Sequence, residues 1–318
     1  MKIGITANPQ IPGTVQLCAR IVKSIGKGHE VVLEREIADR LKAKGVPFQG
    51  ATFDVILAVG GDGTILRAFQ IANGDLLGIN SGSLGFLAEI MADEVDAYLP
   101  KVLAGDYRVQ PRMRVRVDVD GRRMPDCLNE GVVHTAHVSK IRSFEIDVDR
   151  QVAARVRADG IVVATPTGST SYSMSVGGPI VDPRVDAIIV SAIAPFKPYF
   201  RPIVFPPKST VKVRLTKPKE CLLVLDGQRE VPLSGVEDLT FTASEKPAKP
   251  EKPTEGQKLE KPAPESKAPG GEPATTSAVS PDIKEGEIGR DPQLDRALEL
   301  LKSWKVFKAL TSQSTETG

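Results

Sequence analysis

The sequence predicts an α/β N-terminal domain with a parallel sheet, followed by an all-β sandwich-like domain. A disordered Pro/Lys/Glu linker and a C-terminal helix should complete the chain. Three observations carry this. Strand and helix signals take turns over residues 1–105. Strict apolar alternation, the strand period, replaces them over 106–244. Between Glu245 and Pro281 there are eight prolines, many Lys and Glu, and no aromatic residue, a composition that cannot bury enough apolar area to offset its ordering entropy.

In the first part, Lys2–Asn8 is a short apolar run, and Val15, Cys18, Val22 and Ile25 share one helical face. His29–Leu33 reads as a second strand, with Ile37 and Leu41 marking the following helix. Asp54–Val59 is apolar on both faces, as a parallel strand under helices should be. Ile65, Phe69 and Ala72 predict the next helix, Leu76–Asn80 a strand, and Val95, Leu99 and Val102 a last helix. In the second part, Val109, Met113, Val115, Val117 and Val119 alternate before an Asp120-Gly121 turn. Phe144, Ile146 and Val148 alternate too, as do Val152, Ala154 and Val156, then Val211, Val213 and Leu215, then Leu239 and Phe241. The linker is placed at 245–290 and an amphipathic helix and tail at 291–318, with Leu294, Leu298, Leu301 and Trp304 on one face and Asp291 and Pro292 at its start.

Composition narrows the function classes. The chain's 318 residues suffice for two domains, and 42 Lys+Arg against 40 Asp+Glu is too balanced for a nucleic-acid partner. No stretch approaches the ~20 apolar residues of a membrane span, and the first residues read as a strand, not a signal peptide. Cys18, Cys127 and Cys221 lie far apart and form no CxxC pair, so neither a disulfide framework nor a zinc site is implied, and a cytoplasmic location is expected.

The strongest motif is Gly60-Gly61-Asp62-Gly63-Thr64, directly after the buried strand. The C-terminal rim of a parallel sheet is where open α/β folds bind ligands, and glycines there let amides approach phosphate oxygens. An Asp beside phosphates could take a proton from a hydroxyl or help hold Mg²⁺; the bland alternative is a strand-to-helix turn with Asp as a cap. A second motif, Asp159 through Ser173, ends a buried strand in a loop dense in hydroxyls, followed by Gly177-Gly178-Pro179. Asn129-Glu130 before Gly131 is a third and weaker signal. Neither the P-loop nor the GxGxxG pattern is present. His134 and His137 should point to opposite faces of a strand and share no metal. Arg108, Arg112, Arg114, Arg116, Arg122 and Arg123 read as the solvated side of their segment.

Together these segments, with Asn80-Ser81-Gly82-Ser83-Leu84-Gly85-Phe86-Leu87, resemble the NAD kinase family over about residues 1–244. Gly60–Thr64 alone is shared with phosphofructokinases and lipid kinases. The resemblance implies phosphoryl transfer from ATP or polyphosphate to the 2′-hydroxyl of the adenosine ribose of NAD, giving NADP. By position, Asp62 would accept the hydroxyl proton, with Gly60, Gly61, Gly63 and Thr64 as the phosphate loop and Arg67 beside phosphates and ribose. Asn129 and Glu130 would bind the adenosine half and Asp159 the nicotinamide end. Thr170, Ser171, Tyr172, Ser173, Met174 and Ser175 would line the adenine and ribose pocket, and Lys140, Arg157, Ala194 and Gln228 would be further contacts. The resemblance also implies Mg²⁺ held mainly through substrate phosphates, and a homodimer or homotetramer built through the β domain. Two rivals are a diacylglycerol or sphingoid lipid kinase sharing the glycine motif, and a dinucleotide-sensing module without turnover. The extension over 245–318 departs from the family pattern, and its partner is open.

Overall fold

The computed structural model describes residues 1–82, 85–137, 140–196 and 200–245. The expected linker beyond 245 and the helix at 291–318 therefore lie outside the described residues. The N-terminal part is an α/β layer: β1 (Lys2–Ala7), α1 (Thr14–Ile25), β2 (Glu30–Glu34), α2 (Arg35–Arg40), β3 (Gly45–Val46), β4 (Ala51–Gly60), α3 (Asp62–Ile71), β5 (Ala72–Asn80), β6 (Ile90–Met91) and α4 (Val95–Leu103). All its strands are parallel, in the order β3-β2-β1-β4-β5-β6. The order reverses between β1 and β4, and a crevice opens at the C-terminal ends of strands at such a reversal.

Central strand β4 shows why the run Asp54–Val59 had to be apolar on both sides. Val55, Leu57 and Val59 join the core under α1 and α4, whereas Ile56 and Ala58 join a second core with Ile65 and Ala68 of α3. Helix α4 buries Val95, Leu99 and Val102, matching the stripe read from sequence, whereas α1 buries Leu17, Cys18, Ile21 and Ile25, so of its expected stripe Val15 and Val22 are only partly buried at the flank of the face. Ala72 departs from its expected place. It opens β5, paired with Ala51, because α3 stops at Ile71. The Asn73-Gly74 pair that follows leaves no room for continued helix: Gly74 has φ +146 and packs against the Phe53 backbone.

The C-terminal part is a sandwich of two antiparallel six-stranded sheets. One contains β7 (Val115–Val119), β8 (Arg122–Arg123), β10 (Arg142–Val148), β11 (Gln151–Ala158), β15 (Val211–Leu215) and β18 (Leu239–Ala243). The other contains β9 (Glu130–Thr135), β12 (Gly160–Ala164), β13 (Ile188–Ile193), β14 (Ile203–Phe205), β16 (Cys221–Leu225) and β17 (Arg229–Leu233). Their facing residues, among them Val117, Phe144, Ile146, Ile161, Val163, Val190, Leu223 and Phe241, form one core. The outer face of the second sheet is covered as well: Val132, Val162, Ile189 and Ile193 pack with Val176 and Val181. That double burial explains why β12 and β13 read as continuous apolar runs.

Two expectations here need correction. The strand begins at Val115, leaving Val109 (44% exposed) and Met113 outside it, since Pro111 offers no N–H to a ladder. Val152, expected to alternate inward with Ala154 and Val156, is 48% exposed. A bulge puts Ala154 opposite Ile146 but Val152 opposite Asp147, so the side-chain phase flips at the extra residue.

Candidate active site

Gly60 ends β4 and helix α3 starts at Asp62, so the glycine turn sits at the rim beside the sheet's reversal point. Its glycines serve different needs. At Gly60 a Cβ would overlap Thr64 Oγ1, so glycine is required there for packing. At Gly61 and Gly63 a Cβ would meet nothing within 4 Å, and both line a cleft of about 430 Å³ with Asn8, Thr64, Arg67 and Gln228. Gln228 reaches this cleft from the β16–β17 hairpin, so both halves of the chain build its walls.

Asp62 is held from the opposite side. Its Oδ2 accepts the Phe86 N–H at 2.8 Å and its Oδ1 the Leu87 N–H at 3.1 Å. Gly85 makes this possible, because a Cβ there would overlap the carboxylate. Each oxygen keeps a second lone pair for another donor. Arg67 is placed in the cleft wall but its guanidinium is already engaged. It donates to both oxygens of Glu34 at 2.6 Å and to Thr6 Oγ1 at 2.8 Å. The hydrogen bond it donates to Glu34 holds the Arg67 pKa above its ordinary value. Glu34 and Thr6 were missed by sequence reasoning; the available signal was a charge directly closing the apolar run Val31–Leu33.

In the sandwich, Asn129 and Glu130 are each 5% exposed; Glu130 starts β9 and Asn129 directly precedes it. Asn129 Oδ1 and Glu130 Oε2 are buried without a hydrogen-bond partner, which is costly unless a ligand or water completes them. Glu130 Oε1 accepts from Ser171 Oγ at 3.1 Å. Burial first, and the nearby Asp226 charge as well, push the Glu130 carboxyl up to about 8 against the Ser171 hydrogen bond. The hydroxyl-rich loop after β12 folds onto this turn: Thr165 Oγ1 donates to the Leu128 carbonyl at 2.6 Å, and a Cβ on Gly168 would overlap the Asn129 carbonyl. A 3-10 turn (Thr167–Thr170) and the single helical turn α5 (Tyr172–Ser175) follow. Thr170 and Ser171 are half-buried, Tyr172, Met174 and Ser175 are exposed, and Ser173 is fully buried against Gly178.

The remaining expected residues stand elsewhere. Asp159 occupies the corner between β11 and β12, and the pairing of Ala164 with Glu130 and Gly160 with His134 puts it at the far end of β12. Five residues of strand separate it from Glu130 by about 16 Å. Arg157, Ala194 and Lys140 gather at that far end. Asp159 N–H donates to the Ile193 carbonyl, Phe196 N–H to the Arg157 carbonyl, and Lys140 follows the loop leaving β9. Ala194 adopts a left-handed φ of +44. The charge of Asp159, behind burial, raises the Tyr172 phenol, so α5 bridges part of the distance.

The two β9-region histidines are engaged separately, His134 with the Thr135 carbonyl and His137 with Glu220. Of the arginine series, Arg108, Arg122 and Arg123 are exposed as expected, whereas Arg112 and Arg114 are less solvated. Burial lowers the pKa of Arg112 and Arg114, and Arg114 lies 5.3 Å from the Phe69 ring of α3. These side chains face the α/β layer, which the strand period alone could not reveal. Among the described residues no helix is long and apolar enough to cross a membrane.

A parallel sheet with an open glycine turn at its reversal point stands beside a sandwich presenting orphaned polar atoms, an arrangement suited to a polar, phosphate-bearing ligand. Comparison with known proteins gives the class. Residues 3–107 match the ATP-NAD kinase N-terminal domain and residues 128–250 the ATP-NAD kinase C-terminal domain. The NAD kinase of Thermoplasma acidophilum is 41% identical over 237 residues, 73% of this chain and 87% of the relative. That of Methanothermobacter thermautotrophicus is 39% identical over 256 residues, 78% of this chain and 90% of the relative. The crystal structure of an NAD kinase from Archaeoglobus fulgidus in complex with ATP is similar with a TM-score of 0.63 and 29% identity, covering 78% of this chain and 92% of that one. Yeast NADH kinase complexed with NADH shares the fold, with a TM-score of 0.67 at 23% identity over 77% of this chain and 80% of that one. The chain belongs to the NAD kinase family.

Proposed function

We propose that this protein transfers the terminal phosphoryl group of ATP to the 2′-hydroxyl of the adenosine ribose of NAD. The observation carrying the reading is the pair of orphaned buried atoms, Asn129 Oδ1 and Glu130 Oε2, in the half of the molecule whose hairpin also reaches the open glycine turn. Ribose hydroxyls both donate and accept, so they can complete the Asn129 oxygen and the Glu130 carboxyl alike. Gly61 and Gly63 amides and the start of α3 would receive the donor's phosphates. Asp62, oriented by two amides, would take the proton as the hydroxyl oxygen attacks the terminal phosphorus and the bond to the leaving diphosphate breaks. Transfer of this kind depends on positioning and charge neutralisation.

Mg²⁺ enters as part of the donor. It would be carried on the donor's phosphates, where it offsets charge on the transferring group. Asp62 would be the carboxylate nearest to it. We further read the working form as a homodimer or homotetramer. Three buried free thiols, Cys18, Cys127 and Cys221, support a cytoplasmic location.

The test is a matrix of ATP or polyphosphate against NAD, NADH or diacylglycerol, with and without Mg²⁺, read by an enzymatic cycling assay for NADP(H) and by labelled phosphate. Phosphorylated NAD is the expected product. NAD binding without phosphorylation by any donor would leave a sensor, and a phosphorylated lipid would replace the substrate class.

A further inference from the structure

Asp226 has no part in the mechanism above, yet it is 2% exposed and among the most hydrogen-bonded carboxylates of the molecule. Its Oδ1 accepts the N–H groups of Asn129 at 2.8 Å and Glu130 at 3.1 Å. Its Oδ2 accepts the Leu128 N–H at 2.8 Å and Gln70 Nε2 at 3.0 Å. The Asp226 N–H in turn donates to the Glu130 carbonyl at 3.0 Å. Asp226 and Gly227 both adopt left-handed φ, +49 and +63, so the hairpin turn is shaped to bring this carboxylate inward. Gln70 lies on α3, two turns beyond Asp62, and its amide also donates to the Asp126 carbonyl at 2.9 Å.

We propose that Asp226 and Gln70 are positioning residues that lock the Asn129-Glu130 turn to helix α3 and so set where the acceptor ribose stands relative to Asp62. This deepens the kinase reading and rests on it. Three consecutive amides on one carboxylate fix the path of residues 128–130, leaving both flanking side chains no freedom to drift. Gln70 then ties that fixed turn to the helix that carries the proton acceptor. Burial raises the Asp226 carboxyl, and its four donors oppose that shift. The four bonds thus offset much of the cost of a charge kept from water. A clamp of this kind matters more to the transition state than to binding, because small misplacements of reacting groups are costly in rate.

The test compares Gln70→Leu and Asp226→Asn with the unmodified protein by NAD kinetics, thermal unfolding, and amide hydrogen exchange of residues 127–131. Leucine has a similar volume but no donor. Gln70→Leu should lower kcat by about 10–100-fold with KM for NAD within about threefold and Tm within a few degrees. Asp226→Asn turns an amide group toward N–H donors; it should speed exchange at Asn129 and Glu130 and lower kcat by about 10–100-fold as well, with any rise in KM the smaller effect. Unchanged kcat in folded Gln70→Leu, a KM change alone, or a kcat loss that only tracks lost stability would overturn the proposal. Where Asp226→Asn does not fold, Gln70→Leu decides alone. If the unmodified protein does not phosphorylate NAD, the kinase reading fails, while exchange at 127–131 still reports whether the clamp exists.

Discussion

Replacing Glu130 by Gln should make the ligand-free protein less sensitive to alkaline pH. Burial moves this carboxyl from an ordinary 4.5 to about 8 in the folded state. A folded-state pKa above the unfolded value means that its contribution is undiminished below pH 4.5. It is lost as pH rises through 8, because the unfolded chain ionises first. Each pH unit across that window costs about 1.4 kcal/mol, so the loss is about 3 kcal/mol at pH 7 and about 5 kcal/mol beyond pH 8. Those are upper figures, yet large against a typical total of about 5–15 kcal/mol. Gln has the same shape and no proton to lose. Asp226 stays in both proteins, so the difference isolates Glu130. Urea unfolding of both proteins from pH 5 to 9 measures it, and the stability of Glu130→Gln relative to its parent should climb with pH and level off above 8. Parallel stability curves across that range would refute the reasoning.

Other substitutions test other parts of the site. Asp62→Asn should retain NAD binding by calorimetry while turnover falls by about 10²–10⁴, the usual worth of a general base. Arg67→Ala leaves Glu34 without its bidentate partner and should destabilise by about 2–4 kcal/mol. The Arg67→Ala/Glu34→Gln double variant should recover part of that loss in a denaturant cycle. At Gly168, alanine would press on the Asn129 carbonyl, costing about 1–3 kcal/mol in unfolding experiments and weakening NAD binding in the same protein.

Much of the architecture was legible because burial leaves a period in the sequence. The two-sided apolar run of β4 announced a covered parallel strand, and the alternation around Phe144 and Val211 announced the sandwich. Where period and position part company, the reading failed. The bulge opposite Asp147 flips Val152, and Pro111 silences the start of β7. The site was legible in its motifs but not in its supports. Gly60–Thr64 and Asn129-Glu130 stand out as residue types in unusual places. Glu34, Gln70 and Asp226 are ordinary letters whose partners are 33, 156 and 96–98 positions away. Such long-range pairs follow only from the finished fold. Arg67 illustrates the same limit, since the resemblance put it beside phosphates and ribose and the structure gives it a carboxylate.

The close packing of Gly85 on Asp62 reaches beyond the loop that contains it. In a saturation scan scored by growth, position 85 should tolerate almost nothing and so score like a reactive centre, although it has no functional group at all. Selection there would be acting on vacant volume, and a designer seeking to tune turnover could adjust the carboxylate's aim by reshaping residues 85–87 while leaving every substrate contact intact.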